Sequence, residues 1–347
     1  MSRAKPYLIP VGILVVAAIV FAVSSRGILQ TNESAVERIV LEPVTPKRLE
    51  EIRGPEHNAL AFRVLDAIHE ERAVAVPSAA LTRLLLTLSN GSNEETNLAF
   101  AKALGYGELG EADFNDYQRL VLDAINEKGA VRESAAIWLV WPVIPDPSFA
   151  RGMAKALEVD VKKLGTSRIG GHSVIKDWMR RQEPGLVTPF PFRTITDDEP
   201  IVANMFSSLP APPPLALAAP GVYAGENESY RVVWADRELG YEEAAKQLRT
   251  YLAQTGKGAP WAWHPPAGTE EPYDLDDALE KLGFGFLKQD SDLRRINPDL
   301  NRRSNITRVR SQVLWRGVER DRTPPERRGW FIVVEPRTNA ILVVGCD

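Results

Sequence analysis

The side chains that most often perform enzyme chemistry are sparse and scattered in this sequence. Its four histidines show no metal-ligand spacing between any pair: His57, His69, His172 and His264. Gly283-Phe284-Gly285 is a lone GxG that lacks the third glycine and the preceding strand of a phosphate-binding loop. Neighbouring carboxylates at Asp276-Asp277 and at 197–199 are typical of helix starts and turns. The sequence therefore predicts no enzyme active site, no cofactor and no metal site.

A different chemistry, the binding of polyanions, is indicated by arginines towards the C-terminal end. Residues 294–328 contain eleven arginines against four acidic residues, a local charge of +7 in a chain whose net charge is −4. Such a patch favours a partner rich in phosphate or other anionic groups. The residues of this predicted face are Arg302, Arg303, Arg308 and Arg310. In the alternative interpretation, Arg308 and Arg310 alternate with Val309 because they form the solvated face of a strand.

Composition sets few limits on function. The chain has 347 residues, 44% hydrophobic and 25% charged, which is ordinary for a globular protein with a large core. Its single cysteine, Cys346, excludes an intrachain disulfide and any metal cluster built on cysteines. Because Cys346 lies next to the last residue of the sequence, we expect a surface thiol.

The strongest local signal is an uncharged apolar run over residues 6–25. Twenty residues of helix extend about 30 Å, the thickness of the bilayer core. The run therefore predicts a transmembrane anchor, and Arg3 and Lys5 before it favour a cytoplasmic tip at 1–5. A spacer at 26–56 and an exported domain at 57–347 then follow the anchor. The alternative is a secreted domain, because Ala22-Val23-Ser24 is typical of a signal-peptide cleavage point. Export makes nucleic acid an unexpected partner, whereas the bilayer is an expected one.

Beyond the spacer, apolar periodicity predicts helices first and strands later. Helical spacing covers residues 60–68, 78–88, 98–104 and 114–125, followed by shorter helical segments at 149–157, around Ile175 and Trp178, and at 275–282. A continuous apolar run predicts a buried strand at 135–141, and 201–206 is a second candidate for a buried strand. Two further apolar runs joined by a turn predict a C-terminal hairpin over 330–344. Five prolines in 209–220 exclude a helix or a central strand there. This order predicts an α+β domain.

From residue 58 onward, the order of these segments resembles the serpin family. Residues 58–65 are similar to its first helix, Val76-Pro77-Ser78 and the leucine helix to its second, and the step from Thr96 to Leu104 to its third. Trp178 lies in a segment similar to a tryptophan-containing helix of the family, and Asn204 stands where serpins place the asparagine of the central sheet's shutter. The matched structural residues are Pro77, Ser78, Thr96, Trp178, Asn204 and Gly345. The resemblance implies a large central mixed sheet, surrounding helices and smaller sheets towards the C-terminal end. The apolar run at 6–25 places one transmembrane helix before them.

Serpins inhibit serine proteases as suicide substrates, because the cleaved reactive loop inserts into the central sheet and drags the protease with it. In this chain residues 313–318 resemble the strand before the loop. The remnant of the loop then consists of Gly317, Glu319, Arg320, Asp321, Arg322, Thr323, Pro324 and Pro325. The family usually has serines where this chain has Val76 and Ala79, so the shutter also departs from the pattern.

The remnant is unsuited to insertion. Pro324 and Pro325 have no amide hydrogen for a central ladder, and seven of the ten residues at 319–328 are charged. Burying such charges unpaired costs several kcal/mol each. We therefore expect a degenerate serpin whose partner is an extracytoplasmic serine protease or another protein. The alternatives are a non-inhibitory, membrane-tethered binding or scaffold module, with or without polyanion binding, and tight reversible inhibition by Arg320 or Arg322.

Overall fold

The computed structural model describes residues 55–105, 110–165, 170–184, 201–257, 259–265, 267–289, 291–298, 300, 306–318 and 327–347. The predicted anchor and the predicted spacer up to residue 54 lie outside these residues, as do Arg302, Arg303 and 319–326. Among the described helices, none is long and apolar enough to cross a membrane.

The early part of the domain is helical, as the periodicity predicts. Its helices are α1 (Ala59–Ile68), α2 (Ser78–Asn90), α3 (Glu94–Leu104) and α4 (Glu111–Lys128), with strand β1 (Val74–Val76) after α1. Asn93 caps α3 by accepting a hydrogen bond from the Thr96 amide at 2.9 Å. Gly105 ends that helix at φ 77°, a left-handed conformation that favours glycine. The capping residues predicted from the sequence therefore begin and end this helix in the structure.

Five strands form a mixed sheet in the order β3-β2-β4-β9-β8. The strands are β2 (Arg132–Val140), β3 (Val159–Leu164), β4 (Ile201–Leu209), β8 (Tyr273–Asp274) and β9 (Ile306–Trp315). Helix α5 (Pro147–Leu157) connects β2 to β3, and α6 (Gly170–Gln182) follows β3. β2 pairs with β3 in parallel and with β4 in antiparallel orientation. The two central strands, β4 and β9, are parallel.

Six strands form a second, antiparallel sheet in the order β1-β11-β10-β7-β6-β5. Its further strands are β5 (Ala216–Ala219), β6 (Val222–Glu226), β7 (Arg231–Asp236), β10 (Gly329–Val334) and β11 (Ile341–Cys346). Helices α7 (Tyr241–Thr250) and α8 (Asp276–Leu279) lie between β7 and β9 in sequence. Helix α2, buried from Ser78 to Ser89, packs against β11 of this sheet and against β2 and β4 of the other. It is the central element of the core.

Three expectations need correction. The described residues form one further sheet of six strands instead of several smaller ones, because the proline-rich stretch contributes only the edge strand β5. The helix predicted at 275–282 is regular only over Asp276–Leu279, since Gly283 turns the chain at φ 89°. Cys346 is buried, because β11 lies between β1 and β10. The C-terminal hairpin is confirmed.

Candidate functional site

The parallel contact between β4 and β9, which we call the seam, is a place where a strand could enter the five-stranded sheet between two parallel neighbours, and it involves the middle strand of that sheet. Each of the nine residues of β4 has a partner in β9, from Ile201 opposite Ile306 to Leu209 opposite Trp315. All nine are also buried. Opening the seam therefore requires breaking a complete ladder between buried strands.

Polar side chains are buried along this seam. Asn204 Oδ1 accepts a hydrogen bond from Trp138 Nε1 at 2.5 Å, but its Nδ2 has no partner among the described residues. The hydroxyls of Ser208 and Ser311 are likewise buried without a partner in that part of the chain. A buried polar group without a hydrogen bond costs about 1–3 kcal/mol. The seam is thus less favourable than an all-apolar pairing.

Aromatic side chains cover the face of the seam that carries Asn204. Trp178 of α6 packs edge-on against Trp138 and Phe206, with ring centroids 5.8 and 6.1 Å apart. Its Nε1 donates to Asp160 Oδ2 at 2.5 Å, which fixes the indole between helix and sheet. Trp178 therefore lies on the sheet, in the helix that the sequence predicts around Ile175 and Trp178.

The opposite face of the sheet contains an ion pair that the sequence analysis missed. Arg83 of α2 is fully buried, and its Nη1 lies 2.9 Å from Glu133 Oε2. Glu133 Oε1 accepts a hydrogen bond from Ser207 Oγ at 2.8 Å. The network joins α2, β2 and β4 directly beneath the seam. An arginine inside an otherwise uncharged helix was the available signal.

The chain leaves the seam through an aromatic cluster. Trp315, the last residue of β9, packs with Trp263 and Phe331 at centroid distances of 5.7 and 6.3 Å. The Arg316 amide still donates to Leu209 O at 2.7 Å, and Gly317 then turns the chain at φ 78°. The ladder is therefore extended beyond the last strand residue before the chain departs.

The chain returns to the second sheet at an equally constrained point. Arg327 donates a hydrogen bond to the Tyr223 hydroxyl, and Arg237 N donates to Arg328 O at 2.9 Å. A side chain at Gly329 would place its Cβ 2.2 Å from Ala235 O and against the Trp234 ring, so only glycine fits. Both ends of the connection 316–328 are consequently held by named contacts.

Two carboxyl groups, one beside β9 and one beside Gly329, have raised pKa values. Burial raises the pKa of Asp276 to about 7, with the nearby Asp274 acting in the same direction, although Asp276 Oδ1 accepts a hydrogen bond from the Val309 amide of β9. Burial raises the pKa of Asp347 to about 6, and the Gly329 amide and Trp234 Nε1 that bind this carboxylate oppose the rise.

No family model matches the chain and no curated protein sequence matches it. Solved structures do. Mouse protein-Z dependent protease inhibitor superimposes with a TM-score of 0.67 at 10% identity. Human thyroxine-binding globulin, complexed with thyroxine, gives 0.67 at 14% identity, and human kallistatin gives 0.61 at 14%. Each alignment covers 86% of this chain and 98% of the other.

The chain has the serpin fold. The early helices, the mixed central sheet and the C-terminal hairpin therefore match the resemblance stated from the sequence.

Three of the serpin-matched residues occupy positions where a hydrogen bond or the lack of space for a side chain explains the residue type. Ser78 begins α2, preceded by Pro77, and its hydroxyl donates to Ile341 O of β11 at 2.9 Å. Thr96 Oγ1 accepts a hydrogen bond from the Asp292 amide at 3.0 Å. A Cβ at Gly345 would lie 2.3 Å from the Phe331 ring. These contacts stabilise the scaffold.

Of the arginine face predicted from the sequence, Arg308 and Arg310 lie within the described residues. Both belong to β9 and are half-buried. Arg310 Nε lies 3.5 Å from Asp274 Oδ2 of the neighbouring strand β8. Farther along the arginine-rich stretch, Arg294 pairs with Asp292 at 2.7 Å. Carboxylates thus offset part of the positive charge that the sequence concentrates here.

Proposed function

We propose that this chain is a serpin-fold binding module that does not inhibit proteases by loop insertion. The observation that carries the proposal is the length of the connection from β9 to β10, which spans only residues 316–328. Cleavage after Arg322 would leave the seven residues 316–322 to enter the seam. At about 3.3 Å per residue they reach about 23 Å, short of the about 30 Å of the nine-residue strand β4.

The composition of the connection supports the same conclusion. An inserted strand would carry Glu319, Arg320, Asp321 and Arg322 into a sheet whose central strand is buried throughout. Alternate side chains would face α6 and the core, where unpaired charges cost several kcal/mol each. Insertion would also separate the ladder in which every residue of β4 is paired with β9.

The similar structures support a binding role in general terms. One of them is a protease inhibitor by name, whereas another is a thyroxine-binding globulin in complex with thyroxine. The same fold therefore serves proteins that are named for different kinds of binding. We further propose that the domain lies outside the cytoplasm, either anchored by residues 6–25 or released after cleavage near Ala22-Val23-Ser24.

A second candidate function is reversible, lock-type inhibition of a trypsin-like protease. The observation in its favour is that contacts hold both ends of the connection, through Trp315 and Arg316 on one side and Arg327 and Arg328 on the other. A short segment between fixed ends loses little conformational entropy when a protease binds it. Arg320 or Arg322 would then occupy the specificity pocket.

The binding module could take a polyanion as its ligand, and the arginine-rich stretch 294–328 is the feature in favour of this form of the proposal. Binding of the full chain to heparin-like polymers would be measured against salt concentration. A steep loss with rising salt would support an electrostatic face that includes Arg302 and Arg303. Absent or salt-insensitive binding would remove it.

The deciding experiment incubates the full chain, in mild detergent, with a panel of serine proteases. We expect no SDS-stable covalent complex, and cleavage without a large rise in melting temperature. An SDS-stable complex, or strong stabilisation after cleavage, would show that insertion occurs and would overturn the proposal. The double variant Arg320→Ala, Arg322→Ala separates the second candidate, since reversible inhibition would disappear in this variant alone.

A further inference from the structure

The outer strands of the two described sheets differ in the edge that they offer to a further strand. β1 has three residues, β8 has two, and β5 has four with a register shift against β6. β3 has six residues, and they pair with β2 in unbroken register. Among the strands that the structure describes, β2 is the only neighbour of β3. The other side of β3 therefore presents a row of backbone groups that can pair with a further strand.

The edge of β3 can be reached from solvent, although the strand itself is firmly packed. Val159, Val161 and Leu164 are buried against the domain. The side chains of Asp160 and Lys162 are 27% and 41% exposed. No proline interrupts the strand, so every residue of it retains its amide hydrogen. Such an edge is suited to the addition of a strand through backbone hydrogen bonds.

Two opposite charges lie on one face of this edge. Asp160 and Lys162 are two residues apart in a strand, so both side chains point to the same face. Lys162 Nζ lies 2.7 Å from Asp160 Oδ2, and the buried Trp178 Nε1 donates to the same oxygen at 2.5 Å. Because both contacts use Oδ2, Asp160 Oδ1 can accept a hydrogen bond from a lysine of another chain. The contact with Trp178 holds the carboxylate in place at the edge.

A second copy of β3 matches this edge in one register. A two-fold axis perpendicular to the sheet leaves each side chain on its own face, so two antiparallel copies must be centred on a residue. When they are centred on Val161, Asp160 of each copy lies opposite Lys162 of the other. When they are centred on Asp160 or on Lys162, identical charges lie opposite each other. Opposite charges at facing positions stabilise a sheet and like charges destabilise it, so the charges select the first register.

We propose that this chain forms a homodimer by antiparallel pairing of β3 with β3 of a second copy, centred on Val161. The two five-stranded sheets then become one continuous sheet, and two Asp160–Lys162 pairs join the copies. The dimer is weak and reversible, because pairing along six residues buries little surface. Nothing in this inference depends on the seam or on the proposed function.

The first test cross-links the full chain, in mild detergent, with a carbodiimide, which joins a carboxylate to an amine in contact with it. Unlabelled and isotope-labelled chains are mixed at about 100 μM, where a weak dimer can form. A link from Asp160 to Lys162 within one chain closes a loop in a single peptide, whereas a link between copies joins two copies of that peptide. We expect peptide pairs of one labelled and one unlabelled copy. Loops within single peptides alone, or links between chains only at other positions, would overturn the proposal.

Charge reversal tests the interface by a second measurement, the dissociation constant from sedimentation equilibrium in density-matched detergent. Lys162→Glu places two carboxylates opposite each other in both pairs, so it should weaken dimerisation by at least about tenfold. Lys102→Glu makes the same change in net charge at an exposed position of α3 and should dimerise like the parent chain. Association through another part of the chain would be unaffected by Lys162→Glu. That result, or an equal loss in both variants, would contradict the proposal.

A mixture of variants tests the register itself. Asp160→Lys also places like charges opposite each other, but an equal mixture of Asp160→Lys and Lys162→Glu restores opposite charges in both pairs. The mixture should therefore dimerise, although neither variant does so alone. If thermal melting shows that Asp160→Lys has lost its fold, Asp160→Asn replaces it, since an amide oxygen still accepts from Trp178 Nε1 and the mixture restores one pair. A mixture that associates no more tightly than Lys162→Glu alone would show that the copies do not pair in this register and that the proposal is wrong.

Discussion

Strand β4 of the seam and the two strands of the β10–β11 hairpin are equally buried, yet the two regions bury different side chains. Hairpin positions 330–334 and 341–344 are apolar, and all of β10 and β11 is buried. The seam buries Asn204, Ser208 and Ser311 with polar atoms that have no partner among the described residues. Strands of equal burial therefore contribute unequally to stability. Substitutions that affect one region and spare the other test this difference.

The largest effect is expected beneath the seam, where Glu133 neutralises the buried Arg83. Glu133→Ala should reduce the free energy of unfolding by about 3–5 kcal/mol, because it leaves a fully buried guanidinium unpaired. Denaturant unfolding measures the change. The double variant Arg83→Met, Glu133→Leu removes both charges and should lose much less. If the double variant is as unstable as the single one, packing and not charge explains the loss.

A slightly smaller effect is expected in the hairpin. Ile332→Ala in β10 should reduce the free energy of unfolding by about 2–4 kcal/mol, because the side chain is fully buried and leaves a cavity. Leu217→Ala on the exposed face of β5 is the control and should change stability by less than about 0.5 kcal/mol. A loss near zero for Ile332→Ala in denaturant unfolding would contradict the ranking of the hairpin as the better-packed region.

The sequence predicted the regular part of this fold because local signals specify it. Asn93 and Gly105 delimit a helix by capping chemistry, and runs rich in apolar residues specify β4 and the hairpin. What it could not supply is pairing between distant residues. Arg83 and Glu133 are 50 positions apart, and nothing local identifies them as partners. The burial of Cys346 likewise depends on strands on both sides.

The candidate site was predictable in part. The charges and prolines of 319–328 and the shortness of the connection can be read from the sequence alone. The complete ladder between β4 and β9 cannot, because it depends on register. Whether the loop remnant acts in binding stays a prediction.

The dependence of stability on pH tests one titrating group in each region. Asp276 near the seam and Asp347 near the hairpin have pKa values raised to about 7 and about 6. For a carboxyl group whose pKa is raised by folding, the native state binds the proton more tightly. Its contribution is therefore complete below about pH 4 and is lost as pH rises through 6 to 7.

Asp276→Asn and Asp347→Asn should each flatten the decline of stability between pH 4 and 7. We expect changes of about 1–2 kcal/mol across that interval, after allowance for solvent screening at the half-buried Asp276. Chemical denaturation at several pH values measures both. A steeper decline of stability with pH in either variant would show that folding lowers the pKa of that carboxyl group instead of raising it.

The smallest and sharpest comparison lies within the seam, at two adjacent, fully buried serines of β4. Ser207 Oγ donates to Glu133, so Ser207→Ala should lower the free energy of unfolding by about 1–2 kcal/mol. Ser208 Oγ has no partner among the described residues, so Ser208→Ala should be neutral or raise it by about 0.5–1 kcal/mol. Each variant is the other's control, since both remove one oxygen from the same strand. Changes of opposite sign in the free energy of unfolding, measured with denaturant, would confirm that the seam buries polar groups at a net cost. Equal losses would mean that the Ser208 hydroxyl is hydrogen-bonded. The polar groups of the seam would then be as fully hydrogen-bonded as those of the hairpin.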